Sequence, residues 1–278
     1  MTLRPGDRFK PEDIHDEYYW EVKATDVVQW LNPLTQQGWR WRYGDGKITN
    51  ENSYATKVPW HYIRATRDCW FVSHIIFQVV QGRVGEKWVP GMCQGCWKTV
   101  IYPRTLKELF ALERVMLEHP LVIGHDCKCG IEVRPTVSRL YGGYAYGNSL
   151  EHGKQIYEDF RAAVSEDPEL GPDVDVILKR GCTEMEAACG PSDKWEINPK
   201  HQFIEDLARR FIAFSAQEHD QLKHHVRHVH ATWIEWACMN GDETYKLYTG
   251  GKPIHGEYVT YHEPDKAPAQ TKGKKEKK

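Results

Sequence analysis

The sequence predicts an α+β protein: a mixed sheet with crossover helices, a four-cysteine structural zinc module and a long C-terminal helix. Three patterns carry that expectation. Two-residue alternation marks strands, strand–helix–strand order recurs in the middle of the chain, and an apolar stripe at helical spacing fills the last quarter.

The alternation begins where Trp39, Trp41 and Tyr43 interleave with Arg40 and Arg42, and Asp45-Gly46 then offers a hairpin turn. The apolar run from Cys69 to Val80 reads as a buried strand closed by Gly82 and Gly85. WKTVIY is the next strand. Thr105, with Glu108 three residues on, makes a capping box for a helix that carries Leu106, Leu109, Phe110, Val115 and Met116 on one face. Pro120 stops it.

Cys129, Ile131 and Val133 then share a strand face opposite Glu132 and Arg134, and YGGYAYG is an aromatic strand or loop loosened by glycine. Asn148, helped by Glu151, is expected to cap a helix buried through Leu150, Ile156, Tyr157, Phe160 and Val164. Val174, Val176 and Leu178 alternate with Asp175, Ile177 and Lys179 in a further strand. This order favours right-handed crossovers onto a common sheet. From Asn198, with Pro199 at the first helical position, a stripe through Ile204, Leu207, Phe211, Phe214, Leu222, Val226, Val229, Trp233 and Trp236 runs to Cys238. A break is expected near 217–220, and Glu218 falls oddly on the apolar side.

The regions expected are an aromatic-rich mixed N-terminal region at 1–92, the zinc module at 93–130, a β-α-β region with a candidate site at 131–197, a helical region at 198–263 and a disordered basic tail at 264–278.

Charge bounds the partners. Among 278 residues, 37 are Lys or Arg and 39 Asp or Glu, so net charge is −2 and wholesale polyanion binding is disfavoured. The tail concentrates six of the lysines, a composition too polar to pack and able to brush phosphates. The N-terminal segment lacks an apolar core for secretion and no run approaches a bilayer span, so a cytoplasmic location and no membrane partner are expected. In a reducing compartment the eight cysteines read as thiols or metal ligands.

Cys93, Cys96, Cys127 and Cys129 form C-x2-C-x30-C-x-C, two close pairs suited to grip one tetrahedral zinc. Gly95 lets the first pair turn, Lys128 would offset thiolate charge, and His125 is an alternative ligand. Four protein ligands would close the site, so this zinc is expected to be structural. Buried thiols or an iron–sulfur cluster are the competing assignments.

Arg180-Gly-Cys-Thr-Glu-Met-Glu186, read as strand, puts Cys182, Glu184 and Glu186 on one face as candidate nucleophile and bases, with Asp193 in the following loop. Arg40, Arg42, Tyr144, Tyr146, Lys194 and Trp195 are candidate contacts to nucleic acid or another ligand, pairing charge with stacking rings. His224 and His228 sit four apart, but no HExxH supports ligation. No Walker A loop, strand-linked GxGxxG, GxSxG elbow or deaminase signature is found, which argues against those enzyme classes.

The reading that follows is a zinc-stabilised protein that binds or modifies DNA or RNA. The alternatives are a small-molecule enzyme using the Cys/Glu strand end, or a zinc-stabilised assembly protein, for instance a homo-oligomer, docking through its C-terminal helix.

Overall fold

A computed structural model describes residues 18–19, 22–42, 44–49, 59–64, 69, 72–134, 137–213 and 221–255. The basic tail, Phe214, Glu218 and the helix break expected at 217–220 lie outside the described residues. The chain is mixed helix and sheet, as expected. Among the described residues no helix is long and apolar enough to cross a membrane.

The first elements are two short strands, β1 (Tyr18–Tyr19) and β2 (Val22–Lys23), helix α1 (Ala24–Leu31), and a hairpin of β3 (Arg40–Arg42) with β4 (Lys47–Thr49). The predicted alternation holds here: Trp39 and Trp41 are core residues and Arg40 and Arg42 are exposed. The Trp41 indole donates to Asn32 Oδ1 at 2.9 Å, so this ring is anchored in the core and offers no stacking face.

A five-stranded antiparallel sheet follows, ordered β5-β7-β8-β6-β9. Its strands are β5 (Trp60–Ile63), β6 (Trp97–Tyr102), β7 (Cys127–Ile131), β8 (Tyr141–Gly147) and β9 (Asp175–Arg180). Between β5 and β6 come α2 (Gln81–Val84) and α3 (Gly91–Gln94); α4 (Leu106–Glu118) joins β6 to β7, and α5 (Leu150–Glu166) joins β8 to β9. From β6 to β9 the order is therefore β-α-β-β-α-β, with the fourth strand beside the first and the third between first and second. This is the split βαβ, ferredoxin-like arrangement. It runs across residues 130 and 131, where the sequence reading drew a boundary. β5 adds an edge strand beside β7.

Capping chemistry fixes both crossover helices. Thr105 Oγ1 accepts the Glu108 amide at 3.2 Å, while the Glu108 carboxylate reaches back one residue further than expected, to the Arg104 amide at 2.6 Å. α5 is capped by Ser149, whose Oγ accepts the His152 amide at 3.1 Å, rather than by Asn148. Asn148 Oδ1 instead pairs with His152 Nδ1 at 2.9 Å.

Three local expectations fail, each for a visible reason. Val72–Val80 is a π-helix and not a strand. It buries Val72, Ile75, Ile76 and Val80, a helical spacing that its β-branched content masked. The segment after β9 does not extend the strand. Gly181 takes φ +63 with the Trp195 ring against it, and α6 (Thr183–Cys189) begins at Cys182. The C-terminal helical stretch is two helices, α7 (Pro199–Arg210) and α8 (Lys223–Met239), and the first ends at Arg210, ahead of the break expected near 217–220. Between them Ile212 bridges Ile48 in parallel, and the Ala213 amide donates to Ile48 O at 2.8 Å.

Two cores result. One lies between the sheet and α4, α5 and α8, around Ile101, Leu112, Ile131, Phe160 and Trp233. The other joins α1, the β3–β4 hairpin, the π-helix and α7 around Trp41, Ile48, Ile75, Ile204 and Trp195. β8 and α5 approach so closely that a Cβ on Gly147 would sit 2.7 Å from the Gly153 amide nitrogen. Backbone cannot yield there. Gly147→Ala is expected to cost about 1–3 kcal/mol, read as a lower denaturant midpoint at unchanged m.

Candidate functional site

Strand pleating sorts the sheet into two faces. His61, Ile63, Cys127, Cys129, Ile131, Gly143, Ala145 and Ile101 face the helices, and the register places their neighbours on the opposite, outer face. That outer face carries Trp60 and Tyr62 from β5, Lys128 from β7, Tyr144 and Tyr146 from β8, and Lys98 from β6. Tyr62 pairs with Lys128, Lys128 with Tyr144, and Lys98 with Tyr146.

Two cations thus lie among four half-buried rings. The Lys128 ammonium stands 4.3 Å from the Trp60 ring centre, 5.2 Å from Tyr62 and 5.6 Å from Tyr144, while Lys98 stands 5.7 Å from Tyr146. Trp60 and Tyr144 pack at 5.5 Å between centroids. Burial, with the neighbouring charge of Lys98, pulls the Lys128 amine down to about 8. Burial pushes the Tyr62 and Tyr144 phenols up to about 12, with the Cys69 and Glu132 charges respectively adding to it. Lys98 is buried and donates to Cys182 Sγ at 2.6 Å. Burial disfavours its charge, but the Cys182 and Cys96 sulfurs more than compensate and hold it protonated.

At the end of β7, buried Glu132 accepts from Arg134 Nε at 2.7 Å and from the Tyr144 hydroxyl at 3.3 Å. Arg134 also pairs with Glu184. Burial opposes ionisation of both carboxylates, but Arg134 outweighs it at Glu132, and at Glu184 its own backbone amide together with Arg134 does so, so both stay below the usual range. A cavity of about 540 Å³ opens beside Tyr146, lined by His125, Asp126, His152 and the Gly91–Gly95 turn.

The sequence candidates distribute unevenly over this geometry. Tyr144, Tyr146 and Cys182 meet at the outer face. Glu184 reaches it only through Arg134, and Glu186 turns away to Lys179 at 3.5 Å, because a helix cannot put residues two apart on one side. Asp193 and Lys194 are exposed in a 3₁₀ turn. Trp195 is a core residue whose indole donates to Gly190 O at 2.8 Å, so it is no stacking platform. Arg40 and Arg42 lie on the separate β3–β4 hairpin, where Arg42 pairs with Asp45.

The cysteine pairs occupy different environments. Cys127 and Cys129 are buried in the helix-side core, Cys93 packs on the second core, and Cys96 enters β6 on the Lys98 side. The pleat turns Cys127 and Cys129 to the helix side, while Cys93 and Cys96 lie outside the strands. His125 Nε2 is engaged by Asp159 at 3.0 Å. Among the described residues, the one grouping of three or more His, Cys, Asp or Glu ligand atoms within 4.8 Å of one another is His61, Glu113 and His230. His224 and His228 are exposed on α8.

Sequence reading missed Lys98, Trp60 and Tyr62, and took Lys128 for a counter-charge to thiolates. The signal for Lys128 was present, since residues 127 and 129 must point away from residue 128 in any strand. Comparison with family models, with curated proteins and with solved structures finds no match to this chain.

Proposed function

We propose that the protein binds single-stranded nucleic acid on the outer face of the sheet. The observation that carries this reading is the interleaving of Lys98 and Lys128 with Trp60, Tyr62, Tyr144 and Tyr146 on the face turned away from α4 and α5. Ring faces stack on any base, and ammonium groups beside them neutralise phosphates. RNA-recognition modules use aromatics on a four-stranded sheet in this way, and single strands, not duplexes, present the splayed bases that such a face needs. The cavity beside Tyr146 extends the row of rings toward the start of α5.

The test is fluorescence anisotropy with a short unstructured oligonucleotide across a salt series. Lys98 is buried against Cys182, so the one phosphate contact, at Lys128, gives a slope of log affinity against log salt of about −0.7 for a single strand. Lys128→Gln should flatten it by about 0.7. Tyr144→Ala should weaken binding by about 1–3 kcal/mol at every salt concentration. Absent binding at low salt, or binding whose slope ignores Lys128, would refute the assignment.

One observation favours a second reading, a small-molecule enzyme: the depressed amine of Lys128 is the kind of group that forms covalent adducts with carbonyls.

A further inference from the structure

On the helix side of the sheet, three side chains from three elements converge. His61 from β5 places Nδ1 2.5 Å from Glu113 Oε1, and His230 from α8 places Nε2 2.6 Å from the same oxygen. Glu113 belongs to α4, whose capped register presents it to the sheet edge between Leu109 and Leu112 on one side and Met116 on the other. His61 and Glu113 are buried, at 7% and 6% exposure, while His230 is half-buried and leaves a way in from solvent. Phe110 and Trp233 wall the site, their rings 5.1 Å each from the His230 imidazole.

A carboxylate so placed needs neutralising, because an ionised group removed from water is costly unless it is paired. Two imidazoles can do this by protonation. The convergence of both nitrogens on one oxygen, with all three ligand atoms within 4.8 Å of one another, is also the donor set of a metal centre. At zinc–nitrogen distances of about 2.0–2.1 Å a tetrahedral ion holds its ligands roughly 3.3–3.5 Å apart, so side-chain shifts under about 1 Å would admit it. Two nitrogens and one oxygen suit zinc and its neighbours, whereas calcium and magnesium call for all-oxygen shells.

We propose that His61, Glu113 and His230 bind one zinc-class divalent ion, with the fourth position left to water. Cys129 lies opposite His61 in the strand register but outside the three-atom group, and is not a ligand. The ion ties the edge strand β5 to α4 and α8, three segments far apart in sequence. This is independent of the outer-face reading, which the sheet separates from it.

The test is zinc alone added to metal-stripped full-length protein, read by equilibrium dialysis with elemental analysis and by the shift in melting temperature. One equivalent should bind and raise the melting temperature. His230→Gln, half-exposed and so the variant least prone to misfold, should weaken binding by about a hundred-fold or more, since even supporting residues around metal ligands are worth about 10–100-fold. Glu113→Gln should do the same. His224→Gln with His228→Gln should change nothing, and cobalt substitution should give a spectrum without a thiolate charge-transfer band. The proposal fails if no stoichiometric zinc binds, if His230→Gln leaves affinity intact, if the His224/His228 variant abolishes binding, or if cobalt shows a thiolate band that Cys93→Ser or Cys129→Ser removes.

Discussion

Pulse acylation at pH 8 should label Lys128 ahead of the ordinary surface lysines. With the amine at about 8 instead of the usual 10.5, roughly half of it is neutral at that pH, against less than about 1% for an unperturbed lysine. The lower basicity also lowers intrinsic nucleophilicity, so the expected rate advantage is roughly ten- to a hundred-fold. Peptide-resolved mass spectrometry over a pH series should give half-maximal labelling near pH 8. Lys98→Met should move that midpoint upward, because the Lys98 charge is one of the forces holding the Lys128 proton off. Labelling that rises only with the surface lysines, above about pH 10, would show that the aromatic surroundings do not desolvate this amine. Below pH 7 the group is cationic, so it gains amine reactivity only in mild alkali. Bound oligonucleotide should protect it.

Local signals in the sequence were good guides to local structure. WKTVIY, the helix capped by Thr105, YGGYAYG and the alternation after Val174 all became the elements expected, since each depends on neighbours within a few residues, and the next cap fell one residue on from Asn148, at Ser149. Where the chain failed to disclose itself, the deciding contact was remote. Gly181 takes a positive φ with the Trp195 ring packed where a Cβ would stand, and Ile212 leaves the helix to bridge Ile48. Cysteine spacing suggested coordination, yet spacing says nothing of which face a strand presents, and β7 turned its sulfurs to the helices. The His61, Glu113 and His230 group had no local signature at all: its members are 52 and 117 residues apart and meet only through β5 joining the sheet edge and α8 packing over α4. Two of the six outer-face residues were legible, Tyr144 and Tyr146. The lysines became meaningful only once the register set them between rings.

Trp233→Ala should lower the free energy of unfolding by about 3–5 kcal/mol, as for other buried aromatic truncations. That is a large share of a typical domain's stability of about 5–15 kcal/mol. The side chain is 0% exposed, its ring lies 5.3 Å from Phe110, and its indole donates to Pro59 O at 2.6 Å. Pro59 immediately precedes β5, which among the described residues hydrogen-bonds to the sheet through β7 alone. The indole therefore fastens that strand from outside the sheet as well as filling the core beneath it. Trp233→Phe keeps most of the volume and loses the donor, so it should cost less, about 0.5–1.5 kcal/mol for the lost hydrogen bond, because Pro59 O keeps the Ile131 amide at 3.5 Å. Equilibrium urea denaturation with unchanged m reads both values. A cost below about 1 kcal/mol for the alanine variant would mean that α8 is not docked on the sheet edge. It would also leave His61 and His230 without the scaffold that brings them to Glu113. A full-sized cost, joined to weaker zinc binding in the same variant, would tie the docking of the C-terminal helix to the geometry of the metal site.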